Sequence, residues 1–372
     1  MLRIIHVVGT MDLGGIETLL MNLYRYINRD VIQFDFLCHH TTEAAYTSEI
    51  RALGGRLFCI PGLSECSIFE YEKNLYKFFN GHPEYTIVHS HMNDRNGIIL
   101  QQAFRAGVPN RFSHIHTHFR NQTLINQARI AIFKKPLNKY TTKAFACSKD
   151  AGKQLYNRKL QESLIIIHNG IDSRQFRFNS RTRVKIRNSI GIGEEPVIGH
   201  VGRFAEVKNH LFLVECFRAF LLQYPNAKLL LIGTGELEYR IKDQSDALGI
   251  SNNVLFLGNR KDVNEVLQAM DVFVFPSITE GLPVSVIEAQ ASGLQVLSSD
   301  SISIESVLTN LVNRMSLQQA PETWAQKMSE LYLKSKMNDR TVYPDEIEKR
   351  GYDARTVASD LTRIYLDVNN IK

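Results

Sequence analysis

The chain has 372 residues, too many for one hydrophobic core to be the default, so two domains are expected. It is 44% hydrophobic and 22% charged, and no stretch reaches the roughly 18 apolar residues of a membrane span, which excludes an integral membrane protein. Five cysteines without a CxxC pair exclude a disulfide scaffold and a structural zinc site and fit a cytoplasmic setting, while a net charge of +6 favours anionic partners.

The opening MLRIIHVVGTM carries an apolar run too short for a signal peptide and reads as a buried first strand, 3–8. A helix is expected over 15–27, a strand over 31–39, a helix over 42–53 and a strand over 56–60. A helix at 69–79, a strand at 85–91 and a helix at 96–106 follow. The segments 111–116, 143–148 and 163–170 continue the strand series, and 117–128 reads as a specificity loop. Residues 173–195 are polar and basic and mark the expected linker, with a helical candidate at 181–190. The pattern then restarts. Strands are expected at 196–202, 227–235, 253–259, 271–277 and 294–300. Helices are expected at 209–224, 236–249, 263–270 and 283–293, with tail helices at 322–338 and about 353–367.

Strand then helix at this spacing means parallel strands with covering crossovers, and the strands are poor in charge, as strands buried on both faces should be. Two such domains imply a cleft between the carboxyl ends of two sheets, where helix N-termini welcome an anion. Charge is unevenly placed: residues 111–160 hold 11 Lys or Arg against one acid, Asp150. No zinc-finger, RNP-type or basic-zipper pattern is present, so nucleic acid is not expected.

Gly14 and Gly15 follow the first strand, either as a simple turn or as a place where backbone comes close to a ligand; the spacing fits neither GxGxxG nor a P-loop. Arg203 and Lys208 stand five apart on the loop after the first strand of the second half, able to straddle a diphosphate, with Gly202 before them and Gly233 and Gly235 in GTGE after the next strand. In EGLPVSVIE, Pro283 suits a first helical position, Glu280 falls in the turn and Glu288 one to two turns inside the helix. The backbone around Gly281, Leu282 and Pro283 would face whatever occupies that helix mouth, and a carboxylate can accept from two adjacent sugar hydroxyls. The run SHIHTH places His114, His116 and His118 at every second position. That is either a metal rake or one histidine reaching a sugar hydroxyl; with no carboxylate or cysteine partner nearby, no metal is expected. His89 and His91 could neighbour them, and His6 and His200 read as core strand histidines.

These pieces resemble the retaining glycosyltransferases of the GT-B fold, family 4, which include bacterial exopolysaccharide and capsule transferases. The match rests on Gly14-Gly15, Arg203 with Lys208, GTGE at 233–236, the FLGN turn, the Glu280-x7-Glu288 box and the tail YDARTVASDLTRIYL. The resemblance implies two Rossmann-like α/β/α domains. These are an acceptor domain over 1–172, the linker at 173–195, a nucleotide-sugar domain over 196–350 and a final helix, 351–372, packing back on the first domain. It implies that Glu288 holds the ribose diol, Glu280 lies near the donor sugar, Arg203 and Lys208 meet the diphosphate, and Gly15 admits the phosphates and sugar. A strand-five histidine near the sugar hydroxyls is implied too, His116 first and His114 second. It further implies metal-independent, same-face transfer of a hexose or N-acetylhexosamine, a UDP-sugar favoured, to a saccharide or polyprenyl-diphosphate-linked acceptor. The basic 111–160 region would then face an anionic membrane. The rivals are a phosphorylase-like or epimerase-like enzyme on the same fold and a non-catalytic nucleotide-sugar-binding scaffold.

Overall fold

A computed structural model describes residues 1–39, 43–116, 124–280 and 282–370, with backbone alone for 124–129, 369 and 370. The chain divides into two compact units, Met1–Gly170 with Asp353–Lys372, and Ile171–Tyr352.

The first unit runs β1 (Leu2–Val7), α1 (Gly15–Tyr26), β2 (Ile32–Cys38), α2 (Thr47–Ala52), β3 (Leu57–Cys59), α3 (Ile68–Gly81) and β4 (Ile87–Ser90). It continues with α4 (Asn96–Arg105), β5 (Asn110–Ile115), α5 (Leu124–Tyr140), β6 (Lys143–Ala146), α6 (Lys149–Leu155), α7 (Arg158–Glu162) and β7 (Ile165–Ile166). The second unit runs α8 (Ser180–Ser189), β8 (Val197–Val201), α9 (His210–Leu221), β9 (Lys228–Ile232), α10 (Glu238–Ala247), β10 (Val254–Phe256) and α11 (Val263–Ala269). It closes with β11 (Val272–Phe275), α12 (Val284–Ala291), β12 (Gln295–Ser299), β13 (Val312–Met315), α13 (Pro321–Ser335) and α14 (Tyr343–Lys349). The last helix, α15 (Ala354–Asn370), belongs to the first unit.

Each unit is one parallel sheet. The first orders its seven strands β3-β2-β1-β4-β5-β6-β7, the second its six strands β10-β9-β8-β11-β12-β13. Alternate residues of β1 show why apolar runs fold this way. Ile4 enters the core beneath α1 and α15, while Ile5 and Val7 enter the core beneath α3 and α4. In the second unit Val197, Phe273 and Val296 pack on one face with Val286 and Ile287 of α12. Ile198, Val272 and Leu297 pack on the other with Phe217 of α9 and Trp324 of α13. The strand order reverses between β1 and β4 and again between β8 and β11. The loops beyond their carboxyl ends are where open α/β sheets bind ligands.

Three expectations are corrected. Residues 173–195 are no linker: Phe176, Ile186 and Ile192 join the second unit's core. Arg183 and Arg187 of α8 pair with buried Asp271 at 2.7 and 2.9 Å. The segment's basic composition reflects arginines turned inward onto an acid. The supposed specificity loop 117–128 lies outside the described residues up to 123, and from Leu124 it is the start of α5. The tail holds α14 as well as the two expected helices. The final helix buries Val357, Ala358, Leu361 and Tyr365 in the first unit, where Ala354 packs so close to Gly170 that a side chain there would meet its backbone. No helix among the described residues is long and apolar enough to cross a membrane.

Candidate active site

In the second unit, the loop leaving β8 lies directly on the loop leaving β9. Gly202 N–H donates to the Ile232 carbonyl at 2.9 Å and Phe204 N–H to that of Thr234 at 3.0 Å. A Cβ at Gly233 would run into the Gly202 carbonyl and one at Gly235 into that of Phe204. Gly233 also has a φ of +134°. These glycines are needed by the neighbouring backbone, which accounts for the GTG spelling without a ligand.

Lys208 ends a short 3-10 turn, Glu206–Lys208, and Asn209 follows in the left-handed region at φ 58° before α9 begins. The lysine stem crosses Gly202, where a Cβ would sit 3.3 Å from its Cε. Its Nζ lies 4.7 Å from the Phe275 ring centroid and 2.7 Å from Glu280 Oε1. Both side chains are less than a fifth exposed, at 17% and 19%. Ser277 Oγ donates to the same Glu280 oxygen at 3.3 Å, and Ile278 N–H donates to the Val207 carbonyl at 2.8 Å, tying the two loops together. A cation and a carboxylate 72 residues apart in sequence are thus held at the β8/β11 switch point.

Arg203 is placed differently. It reaches Glu236 at 3.1 Å, with 74% and 54% of the two side chains exposed. Such a solvated pair exchanges readily for another anion at little cost. Of the two cations expected on a diphosphate, Lys208 is largely buried against Glu280 and Arg203 lies exposed on the surface, paired with Glu236.

Helix α12 starts at Val284. Pro283 is its N-cap, with φ −73° and ψ 105°, one position earlier than the first helical place expected for it. Leu282 and Pro283 are buried, and Gly281 lies outside the described residues. Glu288 is partly buried among buried Val286, Ile287 and Ala289, and desolvation pushes its carboxyl up to about 7. A carboxyl balanced between its two forms near neutrality suits a group that gives up its proton when hydroxyls arrive to be accepted.

In the first unit, Gly14 caps α1 and Gly15 opens it. A Cβ at Gly14 would meet the movable Glu17 carboxylate, whereas at exposed Gly15 it would meet nothing within 4 Å. The space around residue 15 therefore does not require glycine there. His116 stands one residue past β5. Its N–H donates to Asn93 Oδ1 at 2.8 Å, its Nε2 shares a hydrogen bond with His91 Nδ1 at 2.9 Å, and its buried Nδ1 has no partner among the described residues. His114, the second choice, is 2% exposed with neither ring nitrogen partnered among the described residues, and His118 lies outside them. Burial pushes His116 down to about 3, so it is neutral.

Two family models match in succession, Glycosyltransferase Family 4 over residues 13–175 and Glycosyl transferases group 1 over residues 182–344. EpsF of Bacillus subtilis (strain 168), named as a glycosyltransferase, is 33% identical over 98% of this chain and 96% of its own length. The chain belongs to glycosyltransferase family 4. A more distant relative, the UDP-Gal:alpha-D-GlcNAc-diphosphoundecaprenol alpha-1,3-galactosyltransferase of Escherichia coli, is 25% identical over 80% of this chain and 79% of its own. HepE of Anabaena, solved with UDP, superposes with a TM-score of 0.80 over 99% of this chain and 100% of its own at 16% identity. The fold is accordingly that of the GT-B glycosyltransferases.

Within this family 4 chain, sequence reasoning missed Ser277 and Glu236, the partners of Glu280 and Arg203. Ser277 has no local signal, and Glu236 stands within GTGE without its pairing being legible, because each pairing is defined by a neighbouring loop. Asn93 and His91, which fix His116, were foreshadowed only by the histidine alternation on β4.

Proposed function

We propose that this enzyme transfers a hexose or N-acetylhexosamine from a UDP-sugar, with retention of configuration, to a lipid-linked or saccharide acceptor in cell-surface polysaccharide synthesis. The observation that carries the reading is the Lys208–Glu280 pair at 2.7 Å, half sunk at the β8/β11 switch point ahead of α12. The relatives support its details: the Escherichia coli enzyme is named for UDP-galactose and a diphosphoundecaprenol acceptor, and HepE was solved with UDP and with UDP-glucose.

In this reading the ribose diol donates to Glu288 and the diphosphate displaces Glu280 from Lys208. Lys208, joined by Arg203 swinging off Glu236, neutralises the charge that grows on the leaving phosphate. Freed Glu280 turns to the sugar hydroxyls, with the backbone at Gly281, Leu282 and Pro283 lining the helix mouth. Gly15 would be a place where backbone comes close to the phosphates, and His116 would meet a sugar hydroxyl. The leaving phosphate accepts the proton of the acceptor hydroxyl on the face it departs from, so no enzyme nucleophile and no metal is required. Gly14, Gly233 and Gly235 shape the loops that carry these groups. The basic 111–160 region would hold the enzyme on the cytoplasmic, anionic face of a membrane, with Lys134, Lys135 and Lys139 lining one shallow surface depression on α5.

The test is nucleoside diphosphate release across UDP-, GDP-, ADP- and CMP-sugars, with and without a polyprenyl-diphosphate-linked sugar. Acceptor-dependent UDP release is expected. Release that needs only inorganic phosphate would indicate a phosphorylase, and binding without release in any combination would indicate a scaffold.

A further inference from the structure

Five imidazoles form one row at the carboxyl ends of β1, β4 and β5. His6 and His89 are register partners on adjacent strands, and His91, His114 and His116 continue the same face at every second position. The sequence pattern alone suggests a metal site, and among the described residues two groups that share His91 cluster tightly enough to be considered for one: His6, His89 and His91, and His91, His114 and His116. The ring geometry points elsewhere. His114 stacks face to face on His116, with centroids 3.9 Å apart and planes 28° from parallel, so their in-plane lone pairs run side by side instead of converging. His91 has already committed both nitrogens. Its Nε2 lies 3.0 Å from His6 Nδ1 and its Nδ1 lies 2.9 Å from His116 Nε2. Centroid separations of 5.3 and 5.1 Å are those of rings bonded edge to edge. The three form a continuous hydrogen-bonded chain.

Proton counting gives this chain only two states. All three rings are buried enough to be neutral, so each carries one N–H. If His91 donates from Nε2 to His6, then His6 carries its proton on Nε2, His116 must donate from Nε2 to His91, and His116 Nδ1 is a bare lone pair. If His91 donates from Nδ1 to His116, then His116 Nδ1 carries the N–H and His6 must donate from Nδ1. Any mixed arrangement leaves two protons or two lone pairs facing each other in a buried contact. All three rings therefore share one tautomer, and the outer end at His6 is locked to the free end at His116.

We propose that His6 and His91 are positioning residues that set, through this chain, whether His116 Nδ1 accepts from or donates to a hydroxyl of the bound donor sugar. This rests on the placement of His116 beside the sugar given above. Passing from one state to the other moves a proton across each of the two hydrogen bonds, adds one at one terminal nitrogen, His116 Nδ1 or His6 Nε2, and releases one at the other, both exchanged with water, so the three rings stay neutral.

The experiment is long-range nitrogen–proton correlation NMR on full-length enzyme labelled at histidine, alone and with UDP-glucose as probe, in wild type, His6→Phe and His91→Leu. Phenylalanine at 6 preserves packing against Phe34 and Phe36 while removing the bond to His91. The expected result is equal tautomer proportions at positions 6, 91 and 116 in the wild type. UDP-glucose should move all three together, and His6→Phe should change the proportion at His116 while lowering kcat severalfold with donor KM within about twofold. Unequal proportions in the wild type, a His116 tautomer indifferent to both variants, or metal-shifted resonances with stoichiometric metal by elemental analysis would overturn the chain. The spectra without donor need no activity, so the chain can stand or fall independently of the transferase reading; rings unmoved by a donor that is turned over would overturn its role at the sugar.

Discussion

Glu288 gives the donor site a built-in pH dependence. In the folded protein burial pushes its carboxyl up to about 7 from the ordinary 4.5. To accept from both ribose hydroxyls it must be ionised. Donor affinity then scales with the ionised fraction, which is about 9% one pH unit below such a pKa and about 91% one unit above it, a gain of about tenfold between pH 6 and pH 8. The same shift acts on stability with the opposite slope. Because the folded carboxyl holds its proton more tightly than the unfolded one, the folded state is favoured below about pH 4.5 and loses that advantage as pH rises through about 7. The loss is at most about 3.5 kcal/mol at about 1.4 kcal/mol per unit. Glu288→Gln removes both slopes. The assay is calorimetric titration with an intact UDP-sugar, whose two esterified phosphates keep constant charge over this range, in parallel with denaturant unfolding at each pH. A wild-type donor affinity flat from pH 6 to pH 8, or an equal slope in Glu288→Gln, would refute the assignment of Glu288 to the ribose.

Lys208→Met keeps the stem over Gly202 and Phe275 but removes the charge; turnover should fall by about 100-fold or more with donor present at saturation, while the unfolding midpoint moves little. The glycines should split into two classes. Gly235→Ala meets the Phe204 carbonyl and should cost about 1–3 kcal/mol in unfolding experiments, whereas Gly15→Ala meets nothing, should unfold as wild type does and should raise donor KM. Asp271→Ala strips the buried partner of Arg183 and Arg187 and of the Val197 N–H, and should cost about 3–5 kcal/mol by denaturant titration. Sedimentation with vesicles should show binding to anionic liposomes that weakens with salt; equal binding to neutral ones would remove the membrane role of the 111–160 region.

The sheet strands were legible because parallel strands covered on both faces are apolar and poor in charge, as Val272–Phe275 is throughout and Ile87–Ser90 is apart from its buried His89 and Ser90. Edge strand β13 was not, since Asn313 and Arg314 in its four residues hide the pattern. Helix α5 was masked by Pro136 and three lysines in its last two turns, which read as loop composition. The supposed linker failed for a related reason: Arg183 and Arg187 look solvated in sequence but are spent on Asp271, 84 residues or more away. In the site, the Glu280–Glu288 spacing and the basic loop could be read directly. The pairing of Lys208 with Glu280, the diversion of Arg203 to Glu236 and the structural use of Gly233 and Gly235 all depend on which loops lie side by side. Local spacing carries no record of that. His6, taken as a core histidine, became the far end of a bonded chain only once β1 was seen beside β4.

The central claim is retaining transfer of a sugar from a UDP donor, and the most direct measurement follows the anomeric carbon. UDP-sugar labelled at that carbon is incubated with enzyme and a polyprenyl-diphosphate-linked acceptor, and the product is read by NMR. The account predicts a new glycosidic bond with the donor's α configuration, one UDP released per bond, and loss of both signals in Lys208→Met. A β-linked product, or no labelled product from any UDP-sugar with the wild-type enzyme, would contradict it.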